Sequence, residues 1–125
     1  MENQKNILAI DDNVMLLELF QKMLSPKYNI QVATSASTAL NFLNSNKVDV
    51  ILLDIEMPNI SGFDFLSDIR TIPSYMTVPI IIVSGNTGED FFKQARNSSA
   101  MDVLTKPVKK DTLISTIEKA LALPL

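Results

Sequence analysis

Two residue types that carry much of enzyme chemistry are missing, because the 125 residues include no cysteine and no histidine. Without cysteine there is no disulfide, no thiolate zinc site and no thiol nucleophile. Without histidine there is no Ser–His catalysis and no imidazole metal ligand. The reactive groups that remain are carboxylates, lysine, hydroxyls and the backbone.

The chain also lacks long apolar runs and basic runs. No stretch approaches the roughly 18 residues that a membrane span needs, and residues 1–6 are polar, without the core of a signal peptide. The net charge is −3 and the pI is about 4.8, which disfavours direct nucleic-acid binding. We therefore expect one cytoplasmic domain over residues 1–125 that binds neither membrane nor nucleic acid directly.

Short runs rich in Ile, Val and Leu recur along the sequence, and most are continuously apolar rather than alternating. Such runs are typical of strands covered on both faces, as in a parallel sheet. The predicted strands are residues 7–10, 30–33, 50–53 and 79–83, with a weaker fifth at 102–104.

Segments with helical periodicity separate these runs, and the predicted helical stripes centre on residues 16–24, 36–43, 65–69, 88–98 and 113–121. Strand and helix thus alternate five times. With right-handed crossovers, this alternation predicts an α/β fold with a doubly wound parallel sheet.

Polar residues follow four of the five predicted strands. Asp11 and Asp12 follow the first strand, Asp54 follows the third, Ser84 follows the fourth and Lys106 follows the fifth. A single aspartate in such a place is commonly a helix cap or a turn residue. In a doubly wound sheet, however, ligands bind beyond the carboxyl ends of the strands. The joint occurrence of these residues favours a functional site.

The chemistry of this set is coherent. Three converging carboxylates require a cation, and all-oxygen ligation suits Mg²⁺, which accepts phosphate as a further ligand. The Asp54 carboxylate is ionised near neutral pH and can attack phosphorus without a general base. Lys106 and the Ser84 hydroxyl can meet the charge on the phosphoryl oxygens.

The sequence resembles the response-regulator receiver domains of two-component signalling over essentially its whole length. The resemblance is carried by "LAIDDN" (8–13), "LLDIEMPNISGFDFL" (52–66), "PIIIVSG" (79–85) and "DVLTKP" (102–107). It implies a flavodoxin-like sheet of five parallel strands in the order 2-1-3-4-5, with five helices.

The resemblance also implies roles for the acidic residues. Asp54 would accept the phosphoryl group, and Asp11 and Asp12 would form an acidic metal pocket. Asp12 and Asp54 would bind Mg²⁺ through their side chains, and Glu56 through its backbone carbonyl.

For the remaining site residues, the resemblance implies that Ser84 bonds a phosphoryl oxygen after transfer and that Lys106 forms an ion pair with it. The Lys106–Pro107 peptide bond would be cis. Ser84 would also act as the switch residue, together with the residue three positions before the lysine, which is Val103 here.

The sequence departs from the family pattern in three places. Val103 replaces the usual switch Tyr or Phe, Ser99 with Ala100 replaces a usual Gly-Ala pair, and Gly85 replaces the usual alanine after the hydroxyl. We expect readout of the phosphate to run mainly through the loop of residues 85–88.

The implied function is signalling. The donor would be a sensor histidine kinase or a histidine phosphotransfer protein, because the chain has no histidine of its own. The recipient would be a downstream output protein or domain. The chain itself would catalyse only its own phosphorylation and dephosphorylation. Both a stand-alone receiver and one excised from a longer chain fit this sequence.

Two alternatives share part of this pattern. A haloacid dehalogenase-type phosphatase also uses an aspartate nucleophile with Mg²⁺, but it places that residue after the first strand and usually has a cap domain. The other alternative is a receiver-like scaffold that is never phosphorylated, although all five site residues are present here.

Overall fold

The computed structural model describes residues 4–123, which form alternating strands and helices around one sheet. The elements in chain order are β1 (Asn6–Ile10), α1 (Val14–Leu24), β2 (Asn29–Ala33), α2 (Ala36–Ser45), β3 (Val50–Asp54), α3 (Gly62–Arg70), a 3₁₀ turn (Pro73–Tyr75), β4 (Ile80–Ser84), α4 (Glu89–Asn97), β5 (Asp102–Thr105) and α5 (Lys110–Leu121).

The five strands form one parallel sheet in the order β2-β1-β3-β4-β5. This confirms the predicted flavodoxin-like, doubly wound fold. Every residue of the central strands β3 and β4 is buried, as their continuous apolar runs predicted. At one edge of the sheet, β2 buries only Ala33 of its five residues.

Helices cover both faces of the sheet. Helices α1 and α5 pack on one face, and α2, α3 and α4 pack on the other. Strand β3 serves both cores, since Val50 and Leu52 point to the first and Ile51 and Leu53 to the second. Among residues 4–123, no helix has the length and apolar character that crossing a bilayer requires.

Polar residues define where several helices begin. The side chain of Asn13 accepts a hydrogen bond from the Leu16 N–H at the start of α1. The side chain of Ser35 accepts one from the Thr38 N–H at the start of α2. Ser61 caps α3, with 3.4 Å between its Oγ and the Asp64 nitrogen. Because Asn13 caps α1, capping does not account for Asp12.

The Arg70 side chain joins the end of α3 to two later segments. Its Nη1 donates to the carbonyls of Tyr75 (2.9 Å) and Val78 (2.6 Å). Its Nε donates to Ser99 Oγ (2.8 Å), and its Nη2 donates to the Ser99 carbonyl (3.0 Å). The departure from glycine at position 99 thus supplies an acceptor for a half-buried guanidinium.

Candidate phosphoryl-acceptor site

The sheet brings the predicted residues together at the carboxyl ends of its strands. Asp11 directly follows β1, Asp54 and Ser84 are the last residues of β3 and β4, and Lys106 directly follows β5. The sequence predicts that Asp54 and Ser84 come just after their strands, but in the structure each is the last residue of its strand. Their backbones are held in register by the neighbouring strands, so the attachment points of both side chains are rigid.

Three carboxylates converge here. Oxygens of Asp11, Asp12 and Asp54 all lie within 4.8 Å of one another. Asp11 and Asp54 are buried, at 2% and 3% exposure, whereas Asp12 is exposed. Asp11 is oriented by its own loop, because its Oδ1 accepts a hydrogen bond of 2.9 Å from the Asn13 N–H.

Lys106 is the cation nearest to these carboxylates among the ion pairs of residues 4–123. Its Nζ lies 3.1 Å from Asp11 Oδ2 and 3.7 Å from Asp54 Oδ2. The contact with Asp11 does not satisfy hydrogen-bond geometry, so this buried oxygen lacks a hydrogen-bond partner within the described residues. Lys106 thus pairs with two of the three carboxylates of the cluster.

These residues fit a divalent cation. Carboxylate oxygens are the ligands that Mg²⁺ prefers, the local charge is strongly negative, and one buried oxygen is unsatisfied. Glu56 lies beside the cluster, and its backbone N–H donates to Asp54 Oδ1 at 3.0 Å.

The environment of Asp54 raises its pKa from 3.8 to about 6. Burial of the carboxylate is the largest cause, and the charge of Asp11 acts in the same direction. The hydrogen bond from Glu56 and the charge of Lys106 lower the pKa in part. The Asp54 carboxylate thus ionises closer to neutrality than its reference pKa suggests, and a bound cation would favour its ionised form.

Ser84 points to an acceptor that the sequence did not indicate. Its side chain is 1% exposed, and its hydroxyl donates to Glu56 Oε1 at 2.8 Å. Ser84 Oγ in turn accepts a hydrogen bond of 3.0 Å from the Asn86 N–H. Glu56 therefore has a side-chain role in addition to the predicted role of its carbonyl. Sequence spacing alone gave no signal for this contact.

The fifth strand carries the remaining predicted residues. The Lys106–Pro107 peptide bond is cis. Val103 is half-buried against the α4 side of the sheet. With Phe92 and Ala100 it lines a groove of about 440 Å³.

The loop after Asp54 is held close to the start of α3. A Cβ added to Gly62 would lie 2.2 Å from the Ile55 carbonyl oxygen and 2.5 Å from the Ile55 Cα. Only glycine allows the helix to approach this backbone so closely. Gly62 thus helps to fix the segment that carries Glu56.

Comparison with known proteins identifies the family. The profile of the response regulator receiver domain matches residues 7–118. The chain belongs to this family and is a receiver domain of two-component signalling. The match decides against the haloacid dehalogenase alternative. That family places its nucleophile after the first strand, whereas Asp54 is the last residue of the third.

Individual relatives agree with this assignment. The transcriptional regulatory protein ZraR of Escherichia coli is 30% identical over 118 residues, which are 94% of this chain and 26% of that protein. The 3',5'-cyclic-nucleotide phosphodiesterase regA of Dictyostelium discoideum is 31% identical over 121 residues, covering 92% of this chain and 15% of that protein. The chain thus spans about a quarter or less of the length of these two relatives.

Solved structures share the fold. The chemotaxis protein CheY4 of Vibrio cholerae superposes with a TM-score of 0.88 at 26% identity, covering 94% of this chain and 99% of that one. A putative response regulator from Chloroflexus aurantiacus gives a TM-score of 0.89 at 24% identity, covering 97% of this chain and 100% of that one.

Proposed function

We propose that Asp54 accepts a phosphoryl group from a phosphohistidine on a partner protein. The observation that carries this proposal is the placement of one buried carboxylate at the tip of a central strand, beside two further acids and a lysine. The donor would be a sensor histidine kinase or a histidine phosphotransfer protein. The recipient of the signal would be a cytoplasmic output protein or domain.

In the transfer, an Asp54 carboxylate oxygen forms a bond to phosphorus while the bond from phosphorus to the donor's imidazole nitrogen breaks. The bonding electrons of that second bond return to the imidazole. In the hydrolysis of the resulting acyl phosphate, a water oxygen forms a bond to phosphorus, the bond from the Asp54 oxygen to phosphorus breaks, and inorganic phosphate leaves with Asp54 restored as a carboxylate. We propose that residues 1–125 form one receiver domain that catalyses these two reactions of its own carboxylate.

Each neighbouring residue has a role in this scheme. Asp12 and Asp54 side chains, with the Glu56 carbonyl, would hold Mg²⁺, and Asp11 would complete the acidic pocket. When bound, the ion supplies charge neutralisation between the carboxylates and the incoming phosphoryl oxygens. Lys106 lies 3.7 Å from Asp54, close enough to pair with a phosphoryl oxygen after transfer.

The test is the intact mass of the protein after incubation with Mg²⁺ and acetyl phosphate. We expect the mass to rise by one phosphoryl group, and Asp54→Asn to abolish this rise. Asp68→Asn is a matched control, because Asp68 is an exposed acid outside the site. A mass increase that persists in Asp54→Asn would overturn the assignment. No increase in the wild type would favour the non-phosphorylated scaffold.

A further inference from the structure

The hydroxyl that would bind the phosphoryl group is already engaged. Ser84 has a single hydroxyl proton, and that proton is donated to Glu56 Oε1 at 2.8 Å. The acceptor side of the same oxygen is used by the Asn86 N–H. Ser84 therefore cannot donate to a phosphoryl oxygen on Asp54 without first breaking its bond to Glu56.

We propose that Glu56 is a positioning residue that competes with the phosphoryl group for the Ser84 hydroxyl. This inference rests on the proposed phosphorylation of Asp54. In the unmodified protein the Glu56 carboxylate holds Ser84 in its resting position. The strength of that bond then sets how readily Ser84 moves when Asp54 is modified.

The geometry also gives a reason for release. Glu56 is bonded to Asp54 through its backbone, because its N–H donates to Asp54 Oδ1. A phosphoryl group carries about −1.5 to −2 charge and takes the place of the single negative charge of the Asp54 carboxylate. The negative charge close to the Glu56 carboxylate therefore increases, and the two groups repel. Glu56 is exposed, so its side chain can turn into water at small cost. The proton of Ser84 is then available to the phosphoryl oxygen.

Two substitutions at position 56 separate hydrogen bonding from charge. Glu56→Gln and Glu56→Ala both remove the negative charge, but glutamine keeps a side-chain oxygen that can accept from Ser84. A difference between these two variants therefore cannot arise from the charge. Repeating both in a Ser84→Ala background completes the double-mutant cycle.

The measurement is the affinity for beryllofluoride with Mg²⁺, an equilibrium mimic of the phosphoryl group that needs no turnover. We expect Glu56→Ala to bind it about three- to tenfold more tightly than Glu56→Gln, the factor that an ordinary net hydrogen bond carries. In the Ser84→Ala background the two variants should bind equally. Equal binding with Ser84 present, or a difference that persists without it, would overturn the proposal.

A spectroscopic readout checks the resting position of Ser84 directly. Because the Asn86 N–H donates to Ser84 Oγ, its amide chemical shift reports movement of that oxygen. In free Glu56→Ala we expect this shift to move toward its value in the beryllofluoride-bound wild type, and in Glu56→Gln to move less. An unmoved Asn86 amide in both variants would contradict the proposal.

The wild type and Asp54→Asn distinguish failure of this inference from failure of the proposed function. Tight beryllofluoride binding by the wild type that is lost in Asp54→Asn would support the acceptor site whatever the position 56 variants do. If Asp54→Asn binds the mimic as the wild type does, the acceptor assignment itself fails, and the inference about Glu56 fails with it.

Discussion

Replacing Asp54 with asparagine should stabilise the fold at neutral pH when no divalent ion is present. Asparagine keeps the oxygen that accepts from the Glu56 N–H, but it never carries the charge that is disfavoured in this site. The pKa of Asp54 is raised from 3.8 to about 6, mainly by burial. Between these two values the native chain holds a proton that the unfolded chain has released. The stability of the wild type therefore falls as pH rises through this window.

The size of the effect follows from the shift in pKa. A change of about two units corresponds to about 3 kcal/mol at about 1.4 kcal/mol per unit. Below about pH 4 the wild-type carboxyl is neutral in both states and resembles asparagine, so the variant and the wild type should be similar in stability. Above about pH 7 the variant should be more stable by up to about 3 kcal/mol.

Urea denaturation from about pH 4 to about pH 8, with chelator present and followed by far-UV circular dichroism, measures this difference. Subtracting the wild-type value at each pH cancels the titration of the groups that do not interact with Asp54. Asp68→Asn, at an exposed position, should give a nearly flat difference. If the Asp54→Asn advantage is constant over this range, or shrinks as pH rises, the burial argument is refuted.

Three further substitutions test other parts of the structure. Asp12→Asn removes one carboxylate of the cluster, so the increase in melting temperature caused by Mg²⁺ should become smaller; an unchanged increase would exclude Asp12 as a ligand. Arg70→Ala leaves buried carbonyls unpaired and should lower the free energy of unfolding by roughly 2–4 kcal/mol, whereas Arg96→Ala, at an exposed position, should change it little. Gly62→Ala should prevent stable folding because its Cβ would overlap backbone atoms, whereas Gly85→Ala meets no atom within 4 Å among the described residues and should be tolerated; equal stability of the two would contradict this contrast.

The sequence predicted which residues meet at the site because their positions depend on local patterns. The apolar runs mark strands that are buried on both faces, and parallel strands bring their carboxyl ends to one edge. Asp11, Asp54, Ser84 and Lys106 were therefore placed together without knowledge of any contact. The predicted third and fourth strands end one residue before the observed strands, because strand pairing continues through Asp54 and Ser84.

The sequence did not predict the bond between Glu56 and Ser84. The Glu56 side chain is exposed, and its direction is set by the fold of the loop between β3 and α3 rather than by any periodic pattern. That loop is in turn fixed by the close packing of Gly62 on Ile55. Contacts of this kind depend on two segments meeting in space.

The contacts of Ser99 show the same limit. In the sequence, Ser99 was simply a departure from a glycine that the family usually has. In the structure, its hydroxyl and carbonyl both accept from Arg70, which lies 29 positions earlier in the chain. Long polar side chains reach partners that composition and spacing do not specify.

A series of hydrogen bonds connects Ser84 to the start of α4. Ser84 Oγ accepts from the Asn86 N–H, and Asn86 Oδ1 accepts from the Gly88 N–H at 2.8 Å. The Gly88 carbonyl then accepts from Phe92 within the first turn of the helix. We therefore expect a movement of Ser84 to displace the segment that begins α4. Of the nine residues of this helix, only Phe91 and Ala95 are buried, so it is held by few contacts.

Val103 offers no comparable route through β5. Its branched side chain has a restricted rotamer and carries no ring to move between core and solvent. The aromatic contacts near this face instead join Phe63, Phe91 and Phe92, with ring centroids 6.0 and 5.3 Å apart along that series. Two of these rings belong to α4, so displacement of the helix would itself change the exposed aromatic surface.

We therefore expect beryllofluoride with Mg²⁺ to change amide chemical shifts and hydrogen exchange most in residues 84–98 and less in residues 102–104. Asn86→Ala removes the side-chain acceptor of the Gly88 N–H but keeps the backbone donor to Ser84. This variant should reduce the changes in α4 and leave those at Asp54 and Ser84 in place, because only the link into the helix is cut. A response in residues 102–104 as large as that in the loop, or an undiminished response of α4 in Asn86→Ala, would show that the signal takes another route.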